Sequence, residues 1–246
     1  MSTQTISNTF TISFAPSALD CAPNLSSAII RIGGAANVAS DPAVEALLAA
    51  AEASVRDAGL TRDSISALPS IAAWREVYTR FGAKPNRSLC AAEALLRRVA
   101  TAGPLPRINA LVDLCNAVSL RSQIPIAACD IARVAGGMTI RQAAGSEHYL
   151  PLGAPDQAEQ PEPGEVIYAD EAGMAHSRRW NWRQSDLIKT TTESTELILT
   201  VEAAHPGARA LVEQTTAQLL ELVRPFVAGR IDAVLLDADR PGYTFV

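Results

Sequence analysis

Apolar residues fall three and four positions apart through much of 41–120, the spacing that gathers side chains on one face of a helix. Val44, Leu47, Leu48, Ala51 and Val55 mark a first helix, with Asp41 as N-cap, Pro42 at the first helical position and Gly59 as the stop. Ile71, Trp74, Val77, Tyr78 and Phe81 mark a second over 70–81, broken by Gly82-Ala83-Lys84-Pro85. Ser88 is expected to cap a third, which carries Leu89, Ala92, Leu95, Leu96 and Val99 to Gly103-Pro104. A fourth runs over about 107–120 on Ile108, Leu111, Val112, Cys115 and Val118. Short Gly/Pro connections between the last three predict a compact helical layer.

Elsewhere the period shortens. Residues 9–14 and 28–32 read as strands, the second running into Gly33-Gly34. From Met138 onward 139–141, 149–150, 165–168, 174–180 and 196–201 read as short strands, with 156–164 as a surface loop. A last amphipathic helix is expected over 207–227 and a closing strand over 232–239. Partial segregation of helices from strands predicts an α+β fold rather than a doubly wound sheet. No linker divides the chain, so one domain is expected across 1–246.

A hydrophobic content of 48% is enough for a sizeable core. The apolar-rich stretch 43–55 is interrupted by Glu45, Glu52 and Ser54, and the opening Met1-Ser2-Thr3-Gln4 is polar, so neither a membrane span nor a leader is read and the expected location is the cytoplasm. Cys21, Cys90, Cys115 and Cys129 are dispersed and read as reduced, mostly buried small hydrophobes, not as a disulfide or zinc framework. A net charge of −5 argues against coating nucleic acid by bulk attraction, and neither DNA nor membrane is expected as partner. Charge is unevenly spread, however. Residues 71–121 hold eight basic against three acidic side chains, whereas 147–171 hold seven acids and no Lys or Arg. The basic stretch, with Arg97 and Arg98, is a candidate for tRNA backbone contact, or else a solvated helical face.

Catalytic signatures for an activated serine, a zinc protease, a P-loop or a dinucleotide fold are absent. Gly33-Gly34 and Gly136-Gly137 read as turns. His148, His176 and His205 read as structural or exposed, with His176 set apart by lying two residues before the chain's most unusual segment. That segment is Arg178-Arg179-Trp180-Asn181-Trp182-Arg183-Gln184-Ser185-Asp186, with three arginines, two of the three tryptophans and no aliphatic residue. Guanidinium groups beside indole faces suit a planar or anionic ligand. The competing reading is a strand whose tryptophans pack inward while its arginines pair with nearby acids. If the run is extended, Trp180 and Trp182 share a face.

Several stretches, taken together, resemble the B3/B4 domain of the phenylalanyl-tRNA synthetase beta chain in free-standing form, most strongly over 74–204. They are Tyr78-Thr79-Arg80-Phe81-Gly82, Pro106-Arg107-Ile108-Asn109, Leu111-Val112-Asp113 with Asn116, Pro125 with Asp130, Gly164-Glu165-Val166-Ile167-Tyr168-Ala169-Asp170, and the Arg/Trp run. The resemblance implies mixed β-sheets with a sandwich-type core flanked by helices. It also implies an RNA-binding editing module that hydrolyses misacylated aminoacyl-tRNA in trans, or a non-catalytic pocket for an amino acid, nucleotide or tRNA end. No cofactor and no metal is implied, and nothing resembles a synthetase catalytic core, so aminoacylation is not expected. On this reading Asn116, Glu165 and the residues from Arg178 to Asp186 form the ligand site. Trp180 or Trp182 stacks on the terminal adenosine, Arg178, Arg179 or Arg183 meets phosphate, and Glu165 or Asp186 meets an ammonium or hydroxyl. Two departures stand out: Ala127 replaces a histidine of the synthetase segment, and the Arg/Trp run replaces its Met-Gly-Gly turn. The pocket is therefore expected to be related in architecture and different in lining, with no catalytic residue assigned.

Overall fold

The computed structural model describes residues 9–246, so the opening residues 1–4 lie outside the described residues. The chain builds an α+β fold on two larger sheets. One is antiparallel, with strand order β11 (Val227–Leu236), β2 (Ser26–Ala35), β10 (Glu196–Ala203), β3 (Ile126–Asp130). The other is mixed, in the order β12 (Gly242–Phe245), β1 (Phe10–Phe14), β4 (Gly137–Gln142), β6 (Val166–Ala169), β7 (Met174–Ala175), β5 (His148–Tyr149). In it β1 runs parallel to β4, and β5 parallel to β7.

The antiparallel sheet is buried on both faces, and its side chains are divided by the two-residue period of a strand. Leu197, Leu199, Val201 and Ala203 of β10, with Ala28, Ile30 and Ile32 of β2, face one apolar cluster. Helices α2 (Pro42–Asp57), α6 (Ala110–Ser122) and α7 (Ala208–Val223) complete that cluster through Val44, Leu111, Leu114, Val118, Val212 and Leu219. Ile198 and Ile29, one residue out of phase, belong to a second cluster with Phe10, Ile12, Phe14, Ile140, Val166 and Tyr168 of the mixed sheet. Helices α3 (Arg62–Ala67), α4 (Pro69–Arg80) and α5 (Ala91–Ala102) close this cluster with Ile65, Trp74, Tyr78 and Leu96. A short helix, α1 (Pro16–Leu19), follows β1.

Several boundaries differ from the sequence pattern for local reasons. Asp41 does cap α2, its carboxylate accepting the Ala43 and Val44 amides at 2.9 Å. Ser88 caps nothing; α5 starts at Ala91, and the Ser88 hydroxyl accepts instead from Arg179 Nη1 at 2.9 Å. The helix expected from Arg107 begins at Ala110, because Asn109 Oδ1 accepts the Val112 amide. Arg107 meanwhile forks onto Glu52 at 2.7 and 3.0 Å. Strand β3 was not expected, since Ile-Ala-Ala-Cys-Asp offers one β-branched residue. Neither glycine pair forms an isolated turn. Gly33-Gly34 lies within β2, and a Cβ on Gly137, the first residue of β4, would collide with the Thr11 carbonyl oxygen of the adjoining strand. All four cysteines are free and buried. No described helix is long and apolar enough to cross a membrane.

The acid-rich stretch is largely neutralised internally, and Glu147 shows the consequence for stability. Burial pushes its carboxyl up, but the Ala144 and Gly145 amides and the Arg141 guanidinium outweigh burial and hold it at about 2. With the unfolded value near the ordinary glutamate value of about 4.3, this stabilisation is fully present above that pH and is lost as pH falls toward 2. Glu147→Gln should therefore melt lower than the parent at pH 7, and the gap should close as melts are repeated down to acid pH. A gap independent of pH would contradict this account.

Candidate functional site

The Arg/Trp run is a turn, not an extended strand. Strand β8 (Ser177–Arg178) pairs antiparallel with β9 (Arg183–Gln184), and residues 179–182 close the hairpin. Arg179 and Trp180 take φ of 47° and 64°, the left-handed region in which a side chain costs roughly 1–2 kcal/mol per residue. Compensating contacts hold this geometry. The Trp180 amide donates to the Val166 carbonyl at 2.5 Å and its indole Nε1 to Glu202 at 3.1 Å. The Trp180 ring is fully buried, edge-on to Trp74 at 5.3 Å. Trp182 points elsewhere: it is half-buried, with the Arg179 and Arg183 guanidiniums 4.7 and 4.2 Å from its ring centre. The two indoles do not share a face, because consecutive left-handed residues reverse the chain between them.

Beside this hairpin lies a largely apolar cleft of about 540 Å³. Helix α6 contributes Val112 and Asn116, the edge strand β3 contributes Ala127 and Cys129, and Trp182 and Arg183 come from the hairpin. Thr190, Thr191 and Thr192 form a further wall, and Tyr168, His176, Thr200 and Glu202 complete the lining. Among the described residues the outer edge of strand β3 carries a single antiparallel bridge, Cys129 with Lys189, and is otherwise open. Gln184 ties it down, donating through Nε2 to the Ala128 and Ile188 carbonyls at 2.9 Å.

Of the residues expected at the ligand site, Asn116, Trp180, Asn181, Trp182, Arg183 and Gln184 border this cleft. Glu165, Arg178, Arg179, Ser185 and Asp186 do not. Glu165 and Arg178 are both buried, with two hydrogen bonds between them, and Arg178 Nη1 also reaches Glu159 at 2.6 Å. Arg179 reaches Glu162 at 3.0 Å and Glu165 at 3.5 Å. The Ser185 hydroxyl donates to the Leu150 carbonyl, and Asp186 accepts from Lys189 at 2.8 Å and from the Gly153 amide. For the four charged residues among these five the reading in which charges pair internally describes the geometry, since a buried charge needs its partners. Arg97 is likewise held by Glu93 at 2.6 Å and by Ser66 at 2.8 Å, whereas Arg98 is exposed. Ile108, expected on the buried face of a helix, is 55% exposed beside the cleft because α6 starts after it.

Glu202 is the residue that sequence pattern missed. Its buried carboxylate accepts from Tyr168 Oη at 2.7 Å, Trp180 Nε1 at 3.1 Å and Asn181 Nδ2 at 3.2 Å, and Tyr78 Oη in turn donates to Asn181 Oδ1 at 2.9 Å. Burial raises its carboxyl above the ordinary value, with these donors pulling it back. A usable signal did exist: an acid inside the apolar run Leu199-Thr200-Val201-Glu202-Ala203 falls on the register of Ile198, the face turned toward the mixed sheet. Cys115 and Cys129 also line the cleft, but burial pushes both thiols up to about 12, which leaves no thiolate nucleophile at neutral pH. Asn116, Thr190 Oγ1 and His176 Nδ1 border the cleft with no hydrogen-bond partner among the described residues.

An α+β protein with an apolar cleft that a buried carboxylate helps to line is the class that the fold and site define. Residues 73–220 match the B3/4 domain family, and the chain belongs to that family. No curated protein matches it. Among solved structures it is similar to an N-terminal fragment of the phenylalanyl-tRNA synthetase beta-subunit from Pyrococcus horikoshii, at 11% identity and a TM-score of 0.47. That similarity covers 96% of this chain and 53% of the fragment, so the chain spans about half the fragment's length.

Removing one partner of a buried ion pair leaves an uncompensated charge and costs about 3–5 kcal/mol. Because Glu159 still holds Arg178 Nη1 at 2.6 Å, Glu165→Gln should lower unfolding free energy by less than that full cost but by more than about 1 kcal/mol in denaturant titrations. A loss below about 1 kcal/mol, the range of an exposed surface pair, would show that Glu159 alone compensates the Arg178 charge.

Proposed function

We propose that the cleft takes the aminoacylated 3′ end of a tRNA and hydrolyses the ester that joins amino acid to ribose. The observation that carries this reading is the cleft itself: apolar walls, a buried carboxylate in its lining and an indole with exposed guanidinium beside it. Its volume falls within the roughly 300–1,000 Å³ typical of small-molecule sites. Membership of the B3/4 family, together with the motif resemblance to a synthetase editing domain, supports an aminoacylated RNA over an unrelated ligand.

Roles follow from the chemistry of each position. A carboxylate has about four acceptor sites; Glu202 receives three donors from Tyr168, Trp180 and Asn181, and the Ser27 hydroxyl also acts on it, so a substrate hydroxyl or ammonium would bind there by taking the place of that hydroxyl. A site built to accept such a donor rejects analogues lacking it far more strongly than an apolar wall rejects a missing methylene. Asn116 offers an unpartnered amide from the middle of α6, a position where asparagine has no intrinsic preference. Trp182 offers an aromatic surface to the terminal base. Arg183 is exposed and makes no ion pair among the described residues, which leaves it free for phosphate. Exposed Arg98 is the better of the two helical arginines for the tRNA backbone, since Arg97 is engaged. Ester hydrolysis needs only a modest reduction of an already low barrier, which an oriented water and fixed hydrogen-bond groups supply.

Ala127 favours a second reading, in which an amino acid, nucleotide or tRNA end binds without turnover, because it brings no histidine to the strand β3 wall. A panel of mischarged tRNAs separates the two. Deacylation above the spontaneous rate for at least one member is the expected result; tight binding without deacylation selects the second reading, and neither binding nor deacylation sinks both. Base stacking on an aromatic ring is worth about 1–3 kcal/mol, so Trp182→Ala should weaken binding of the cleaved substrate by about 5- to 150-fold. Arg183→Ala should flatten the salt dependence of that binding by about one phosphate contact.

A further inference from the structure

One polar cluster bordering the cleft has no part in the binding roles above. Asp170 ends the β6 segment and His176 follows β7, so the tight connection at 170–173 returns the chain and sets the two side chains together. His176 Nε2 lies 3.0 Å from Asp170 Oδ2, and both side chains are buried. Asp170 is itself fixed by backbone amides: Ala172 and Met174 donate to Oδ1 at 3.0 and 2.9 Å, and Ala135 donates to Oδ2 at 3.2 Å. With three amides on the carboxylate, the proton between the two residues belongs on Nε2, and Nδ1 carries the lone pair. Among the described residues that Nδ1 has no hydrogen-bond partner, although His176 borders the cleft. An unpaired buried acceptor costs about 1–3 kcal/mol; Nδ1 is closed to bulk solvent, and the cleft that His176 borders is the space from which a water would enter to meet it.

We infer that His176 Nδ1 is the general base of the hydrolysis, with Asp170 as the positioning residue that fixes its tautomer. The inference rests on the hydrolytic reading given above. Water donates its proton to Nδ1 as its oxygen bonds to the ester carbonyl carbon. The bond from that carbon to the ribose oxygen then breaks, the proton returns from Nδ1 to the ribose oxygen, and free amino acid and a tRNA hydroxyl leave. Asp170 stabilises the transient imidazolium through the Nε2–H bond and does not itself take the proton. The charge state suits the role: burial lowers the imidazole's pKa more than Asp170 raises it, and Asp170 is the charged group acting on the ring. Burial raises the Asp170 carboxyl, but the Met174 and Ala135 amides and His176 outweigh it and keep it ionised. The base is thus unprotonated at neutral pH, and the rate should fall as pH drops through a value below the usual histidine value of about 6.5.

Single-turnover deacylation of the mischarged tRNA that the panel identifies tests this directly. His176→Gln should slow the step by about 10²- to 10⁴-fold, the usual contribution of a general base, should leave tRNA affinity unchanged and should abolish the acid limb of the pH profile. Asp170→Asn should slow the step less and displace that limb. Wild-type protein that cleaves nothing on the panel overturns the hydrolytic reading and this inference together. Wild-type protein that cleaves, with His176→Gln retaining both rate and acid limb, overturns this inference alone. Should His176→Gln not fold, ¹⁵N NMR of the wild-type histidines decides: a bare Nδ1 at neutral pH, titrating in step with the rate, is expected, and a protonated Nδ1 overturns the assignment.

Discussion

A carboxylate buried between two sheets without an ion pair is the constraint from which the rest of the site follows. Glu202 sits on the face of β10 that meets the mixed sheet, almost closed to solvent where it borders the cleft. An ionised group there is tolerable only if hydrogen-bond donors surround it, and hydrogen bonds to a charged group contribute about 1.5–3 kcal/mol each. The donors are Tyr168 from the neighbouring sheet and the Trp180 and Asn181 side chains from the hairpin. Two of the three therefore belong to one four-residue turn. Satisfying Glu202 and pinning that turn are the same event.

This coupling explains why two large residues occupy left-handed backbone, a conformation that glycine adopts at no steric cost. The strain at Arg179 and Trp180 is balanced by the Trp180 contacts with Trp74 and Glu202 and by the Arg179 contacts with Ser88 and Glu162. With Trp180 drawn inward, Trp182 is left half-buried at the rim of the core, with the guanidiniums of Arg179 and Arg183 near its ring. The half-buried indole and exposed guanidinium beside the cleft thus follow from an interaction inside it. The arginines divide accordingly. Those that meet Glu52, Glu93, Glu147 and Glu165 are structural, while Arg98 and Arg183 keep their charge toward solvent.

Much of the architecture was legible along the chain, and the reason is periodicity. The apolar spacing of Val44, Leu48, Ala51 and Val55 requires one buried helical face wherever the helix packs, so α2 could be placed before its neighbours were known. The same holds for α4, while the consecutive apolar residues Leu197-Ile198-Leu199 marked β10. Motif resemblance placed the family, because several weak stretches in fixed order are jointly specific. Strand β3 was hidden because an Ala-Ala-Cys core carries no strand preference; its pairing with β10 makes it a strand. Ser88 was misread because serine before an apolar run caps helices in general, and nothing local announces an arginine arriving from residue 179.

The site itself divides along the same line. The sequence by itself determined that arginine and tryptophan concentrate in one nine-residue run and that the acids cluster just before it, since those are facts of composition and order. Which arginines pair inward, which indole is buried, and that Glu202 and His176 join the cleft were decided only by tertiary structure. The physical reason is that charge pairing and burial depend on distances between residues far apart in the chain, whereas a pattern along the chain reports only the faces that neighbouring residues share.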